Sequence, residues 1–186
     1  MKRYANILGL TVVTTVLIAL AGCDSGPMGS VEGEGSPAAL PADEDSAGYL
    51  DRLSSQATVS ENDAMRGILL LLDEKDDAKS FEERTQLLQE RGIVSGSWSF
   101  QKDRPLTRGK FAYMIFQAIK LPGGIILTVS GPSQRYCLRE LEYRQFMSQG
   151  FILAPVTGLE YVGVLTRADT YRRTGTLPED VALEEE

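Results

Sequence analysis

The chain has 186 residues, with 19 basic and 26 acidic side chains, a net charge of −7, two cysteines and no histidine. Without histidine no Ser-His-Asp or Cys-His nucleophile can be assembled, and the common zinc-ligand spacings are missing. An acidic chain with no cationic groove of interleaved aromatics does not fit a nucleic-acid binder, so we expect no nucleic-acid partner, no metal and no cofactor.

Lys2 and Arg3 precede an apolar run from Ile7 to Leu20, interrupted by Thr11, Thr14 and Thr15 and followed by Ala21, Gly22 and Cys23. A basic start, a short apolar core and small residues at its end read as a secretory signal over residues 1–22. Leu20-Ala21-Gly22-Cys23 resembles the lipobox of bacterial lipoprotein signals. That resemblance implies lipid transfer to the Cys23 sulfur, cleavage before it and acylation of the new amine, palmitate being one such chain. The protein is then expected at the cell envelope, held in a membrane by lipid and facing the periplasm or exterior. An ordinary secretory signal with an incidental cysteine is the alternative. Several acyl chains anchor where one is marginal, because each buried methylene adds about 0.8 kcal/mol.

Removing residues 1–22 leaves 17 basic and 26 acidic residues, a net of −9. The acid is concentrated in the flanks. Residues 24–60 carry seven acids against Arg52 alone, amid Gly, Ser, Pro and Ala, a composition that buries too little apolar surface to offset chain entropy. We read residues 23–59 as a disordered acidic tether; ~35 flexible residues reach roughly 30 Å. Residues 174–186 form a similar acidic tail. Between them, residues 60–173 suffice for one small domain. Cys137, the one thiol besides Cys23, lies in a helical pattern and reads as a buried structural cysteine.

Within this domain Ser60-x-x-Asp63 resembles a capping box and starts a leading helix to about Asp73, with Ala64, Ile68, Leu71 and Leu72 on its apolar side. A second helix starts at Ser80, presents Phe81, Leu87 and Leu88, and stops at Gly92. The third starts at Thr107, with Phe111, Ile115, Ala118 and Ile119 on one face, and ends at Pro122-Gly123-Gly124. Ile125 to Val129 is a short apolar strand candidate closed by Gly131-Pro132, and Ser133 to Ser148 is a fourth helix. The last segment admits a helix start at Thr166 or at Thr157. Thr157-x-x-Glu160 is the better fit, since Tyr161, Val162, Leu165 and Ala168 then match Phe111, Ala112, Ile115 and Ala118 at a constant offset of 50 residues. The expected fold is therefore mainly α: two helix-loop-helix units over about 80–120 and 134–172, a leading helix, one short β strand or hairpin, and disordered acidic flanks.

The repeated unit resembles the S-layer homology repeat of bacterial envelope proteins. The residues that carry the likeness are Gly92-Ile93-Val94-x-Gly96, Phe100, Pro105-Leu106-Thr107-Arg108 and Phe111-Ala112. The resemblance implies attachment to a cell-wall polysaccharide or pyruvylated glycan, with Arg108 matching the Thr-Arg-Ala-Glu motif and the Gly96 loop beside the ligand. Lys110 stands where that motif has Glu, Gly158 where the second copy has Arg, and the second copy lacks the Gly-x-x-Gly loop. The family commonly works as three repeats about a shared axis, and two are visible in this sequence. Trp98 offers a flat apolar face with an N–H handle for stacking on a sugar, its other role being core or rim packing.

A carboxylate-only enzyme is disfavoured, because Glu140 and Glu142, or Glu82 and Glu83, do not face each other on a helix. We expect a lipid-anchored envelope protein with a non-catalytic binding domain. Trp98, Arg108 and Lys110 are the candidate glycan contacts and Arg167 and Arg172 secondary ones. A protein-interaction scaffold whose partner is another envelope protein is the alternative.

Overall fold

The computed structural model describes residues 46–178, which are mainly helical. The elements are α1 (Ser46–Ser54), α2 (Glu61–Asp73), α3 (Phe81–Glu90), α4 (Arg108–Ala118), α5 (Ile125–Ser130), α6 (Gln134–Tyr143) and α7 (Gly158–Thr174). The expected signal, Cys23, most of the expected tether and the end of the acidic C-terminal segment lie outside the described residues.

Hydroxyl caps set where five of these helices begin. Ser60, Ser80, Thr107, Ser133 and Thr157 each hold extended backbone and accept a hydrogen bond from the amide three residues on. Each thereby satisfies an amide that the first turn leaves orphaned. Thr157 is the true start of α7, and Thr166 lies inside it. Gly92 adopts φ +69° after α3, where Ile93 and Val94 both donate to the Leu88 carbonyl. Phe146 and Met147 donate to Leu141 in the same way, so α6 ends at Tyr143 and not at Ser148.

Two expectations are corrected. Residues 125–129 are not a strand but most of α5, with Thr128 N donating to Gly124 O (3.1 Å) and Gly131 N to Leu127 O (3.0 Å). A single apolar run with no strand to pair against satisfies its backbone only by coiling on itself. The second correction concerns residues 46–54, expected within the disordered tether, which form α1. Tyr49 and Leu53, one turn apart, are fully buried. The average composition of residues 24–60 hides this pair among acids and small residues.

With α1 in place there are three helix-loop-helix units: α1–α2, α3–α4 and α6–α7. They close on one another through a ring of backbone hydrogen bonds just before the second helix of each. Leu106 N donates to Val59 O (2.8 Å), Val59 N to Val156 O (2.9 Å) and Val156 N to Leu106 O (2.9 Å). Val59, Leu106 and Val156 are fully buried at this centre. Around it Phe111 stacks on Tyr161 with centroids 4.7 Å apart, and the Tyr161 hydroxyl donates to Ala64 O at 2.7 Å. The Tyr49 hydroxyl donates to Asp63 O. One core thus spans all three units. The connections within the units differ: Arg91 to Thr107 in the second and Arg144 to Thr157 in the third, but only Ser55 to Ser60 in the first.

Candidate functional site

Each second helix opens on the same four-residue pattern, Ser60-Glu61-Asn62-Asp63, Thr107-Arg108-Gly109-Lys110 and Thr157-Gly158-Leu159-Glu160. The hydroxyl residue caps, and the second and fourth positions carry the charge. These charges meet across the unit boundaries. Arg108 of the second unit pairs with Glu160 of the third. Glu61 of the first pairs with Lys110 of the second at 2.5 Å. The polarity of the second pair is reversed relative to the first, so Lys110 occupies the acidic position because an acid, Glu61, occupies the basic one. At the remaining boundary Gly158 replaces the charged residue: a Cβ there would overlap the carbonyl oxygen of Leu53. Helix α1 is packed too closely against α7 for any side chain.

Arg108 is only 6 % exposed. Besides Glu160, its guanidinium donates to the Ser148 carbonyl and lies 3.7 Å from Glu142. Gly150 leaves room for it, since a Cβ there would come within 2.8 Å of the guanidinium carbon, and its amide donates to Glu142 at 3.0 Å. Gly150 therefore clears space for an arginine. Burial raises the Glu160 carboxyl above the ordinary glutamate range, outweighing the downward pull of Arg108. Such a pair locks two units in register more than it adds net stability.

Lys110 also donates to Ser99 O at 3.3 Å and sits 4.6 Å from the Phe100 ring centroid. Glu61, fully buried, accepts the Gln101 amide at 2.7 Å as well. The connection from α3 to α4 is thereby fastened to the first unit. On it, Trp98 is half-buried, edge-on to Tyr113 at 4.9 Å and tilted against Phe100 at 6.0 Å. Ser95 and Ser97, whose hydroxyls bond each other at 2.8 Å, and exposed Gly96 lie next to it in the chain.

The structure thus joins Trp98 and Lys110 through Phe100, and turns Arg108 inward to the third unit. Arg108, a candidate glycan contact from the sequence, is buried here and pairs with Glu160 and the Ser148 carbonyl, while its Nε has no hydrogen-bond partner among the described residues. Lys110 is likewise committed to Glu61. Arg167 donates to Phe146 O at 3.0 Å and lines an open groove of about 220 Å³ with Thr166, Thr170, Thr176 and Pro178. The Thr166 and Thr170 hydroxyls bond back to carbonyls of α7, which leaves little polar recognition there. Arg172 donates to Leu72 O at 3.2 Å.

Cys137 is fully buried, and burial pushes its thiol up to about 12. Among the described residues no helix is long and apolar enough to cross a membrane. No family model, curated protein or solved structure matches the chain.

Proposed function

We propose that this is a lipid-anchored protein of the bacterial cell envelope, tethered through Cys23, whose domain is a non-catalytic binding module of three degenerate S-layer-homology-like units. The observation that carries this reading is the ring joining Val59, Leu106 and Val156, because the resemblance implies three units about a shared axis. The partner is a wall or surface polysaccharide. Its contact is the half-exposed face of Trp98 with the Ser95–Ser97 turn, while Arg108 and Lys110 position that loop without touching the ligand. An aromatic face held edge-on by a second aromatic is preorganised for stacking on a sugar ring.

A protein-interaction scaffold is the second reading, favoured by Phe151 and Leu153, which are largely exposed on the third unit's connection. Retention of residues 37–186, one compact unit, on purified wall polysaccharide separates the two. Retention that Trp98→Ala abolishes, with the helical circular dichroism intact, supports glycan attachment. No retention removes it and leaves the scaffold. For the anchor, Cys23→Ala is expected to abolish lipid labelling and move the protein out of the detergent phase, and persistence of both would refute lipidation.

A further inference from the structure

Helix α5 belongs to none of the three units. It is inserted between the second and third, whereas the first and second are joined by the non-helical segment from Glu74 to Ser80. Leu127 points inward and pins α5 to the body: a Cβ on Gly123 would touch both Leu127 and Phe116. One turn apart on the other side, Ile125 and Val129 are 85 % and 83 % exposed. Single exposed aliphatics are ordinary. Two aligned on a protruding helix, each more exposed than any other described large apolar side chain, form a small outward-facing wedge.

The chain segment that carries this wedge is basic. From Ile119 to Arg139 the chain carries Lys120, Arg135 and Arg139 and no acid, although the protein as a whole is acidic. Lys120 and Arg135 bracket α5 in the chain, and α6, which bears Arg135 and Arg139, is a helix against which α5 packs. All three cations are exposed, in contrast to Arg108 and Lys110, which internal acids neutralise. An acid near it, Glu140, approaches Gly124 at the start of α5 and is tied to Arg144 at 3.2 Å.

From this we infer that α5 is an interfacial membrane-contact element: Ile125 and Val129 enter the headgroup region of an anionic bilayer while Lys120, Arg135 and Arg139 meet its phosphates. An apolar protrusion flanked by unpaired cations is the combination that holds an amphipathic element in the plane of an anionic surface. The inference does not depend on lipidation at Cys23. Such contact would fix how the domain sits on the surface.

The test uses residues 37–186, which lack Cys23 and the apolar N-terminal run. A Thr128→Cys change places an exposed thiol on α5, and the buried Cys137 leaves it the accessible one. Labelled there with an environment-sensitive dye, the protein is titrated with phosphatidylglycerol vesicles and with phosphatidylcholine vesicles. The expected result is a blue shift, quenched by nitroxide lipid, on the anionic vesicles only, with a label at Ser97→Cys remaining silent. Each of Lys120→Gln, Arg135→Gln and Arg139→Gln is expected to weaken partitioning about fivefold, near 100-fold together. Ile125→Asn with Val129→Asn is expected to abolish the shift. A dye that stays silent on anionic vesicles overturns the inference. So does a concentration-dependent shift without lipid, which would make the face a contact between copies of the chain.

Discussion

A buried ion pair holds best when neither partner is left alone, and the Glu61–Lys110 pair turns that into a measurement. Lys110→Met strands a fully buried carboxylate and is expected to cost about 3–5 kcal/mol in urea denaturation. Adding Glu61→Gln removes the orphan charge while keeping an acceptor for the Gln101 amide, so the double variant should recover most of the loss. Additive losses would show that the two side chains do not act as a pair. Glu160 gives a pH signature. Because burial raises its pKa in the folded state, its contribution is fully present below the ordinary glutamate range and is lost as the pH rises through the folded-state value. The stability of wild type relative to Glu160→Gln should therefore decline as the pH rises above the ordinary glutamate range, as followed by denaturation at several pH values. A rising difference would contradict the assignment. Cys137, protonated and buried, should resist a thiol reagent in the native protein and react on unfolding.

At the scale of helices, two glycines mark places where elements meet too closely for a side chain. Gly67 lies within α2, where alanine is intrinsically better by about 1 kcal/mol, yet a Cβ there would strike the Tyr161 hydroxyl. Gly67→Ala is expected to destabilise by about 1–3 kcal/mol, overriding propensity. Stabilisation would mean that Tyr161 moves freely. At Gly158 the obstacle is backbone, and Gly158→Ala should displace α1 and cost more. Neither glycine carried a sequence signal, since both clashes come from residues distant in the chain. The capped helix starts at Ser60, Ser80, Thr107, Ser133 and Thr157 were legible because a hydroxyl followed by an apolar stripe has a local mechanism. The strand assigned to residues 125–129 failed because an apolar run of that length fits either structure until its neighbours are known. Helix α1 was missed because its burial depends on α7.

The architecture of the whole molecule was half legible. Val59-Ser60-x-x-Asp63 repeats the pattern of Leu106-Thr107-x-x-Lys110 and Val156-Thr157-x-x-Glu160. Its short connection breaks the 50-residue offset, so the first unit passed for a lone leading helix. The same symmetry explains the differences among the three helix starts: Lys110 answers Glu61, and Gly158 yields to α1. Sequence singled out Arg108 because a surface arginine and a buried inter-unit arginine look alike until a partner as distant as Glu160 is known. If α1 is an integral part of the shared core, a chain beginning at residue 57 should lose cooperative unfolding that residues 37–186 retain, and equal cooperativity would show α1 to be dispensable. The functional reading rests on a division of labour, with charges joining the units and Trp98 meeting the ligand. The decisive measurement is retention on wall polysaccharide of wild type and of Trp98→Ala, each with its helical circular dichroism intact. Retention of wild type and its loss with Trp98→Ala is the predicted result. Unchanged retention of Trp98→Ala would contradict it.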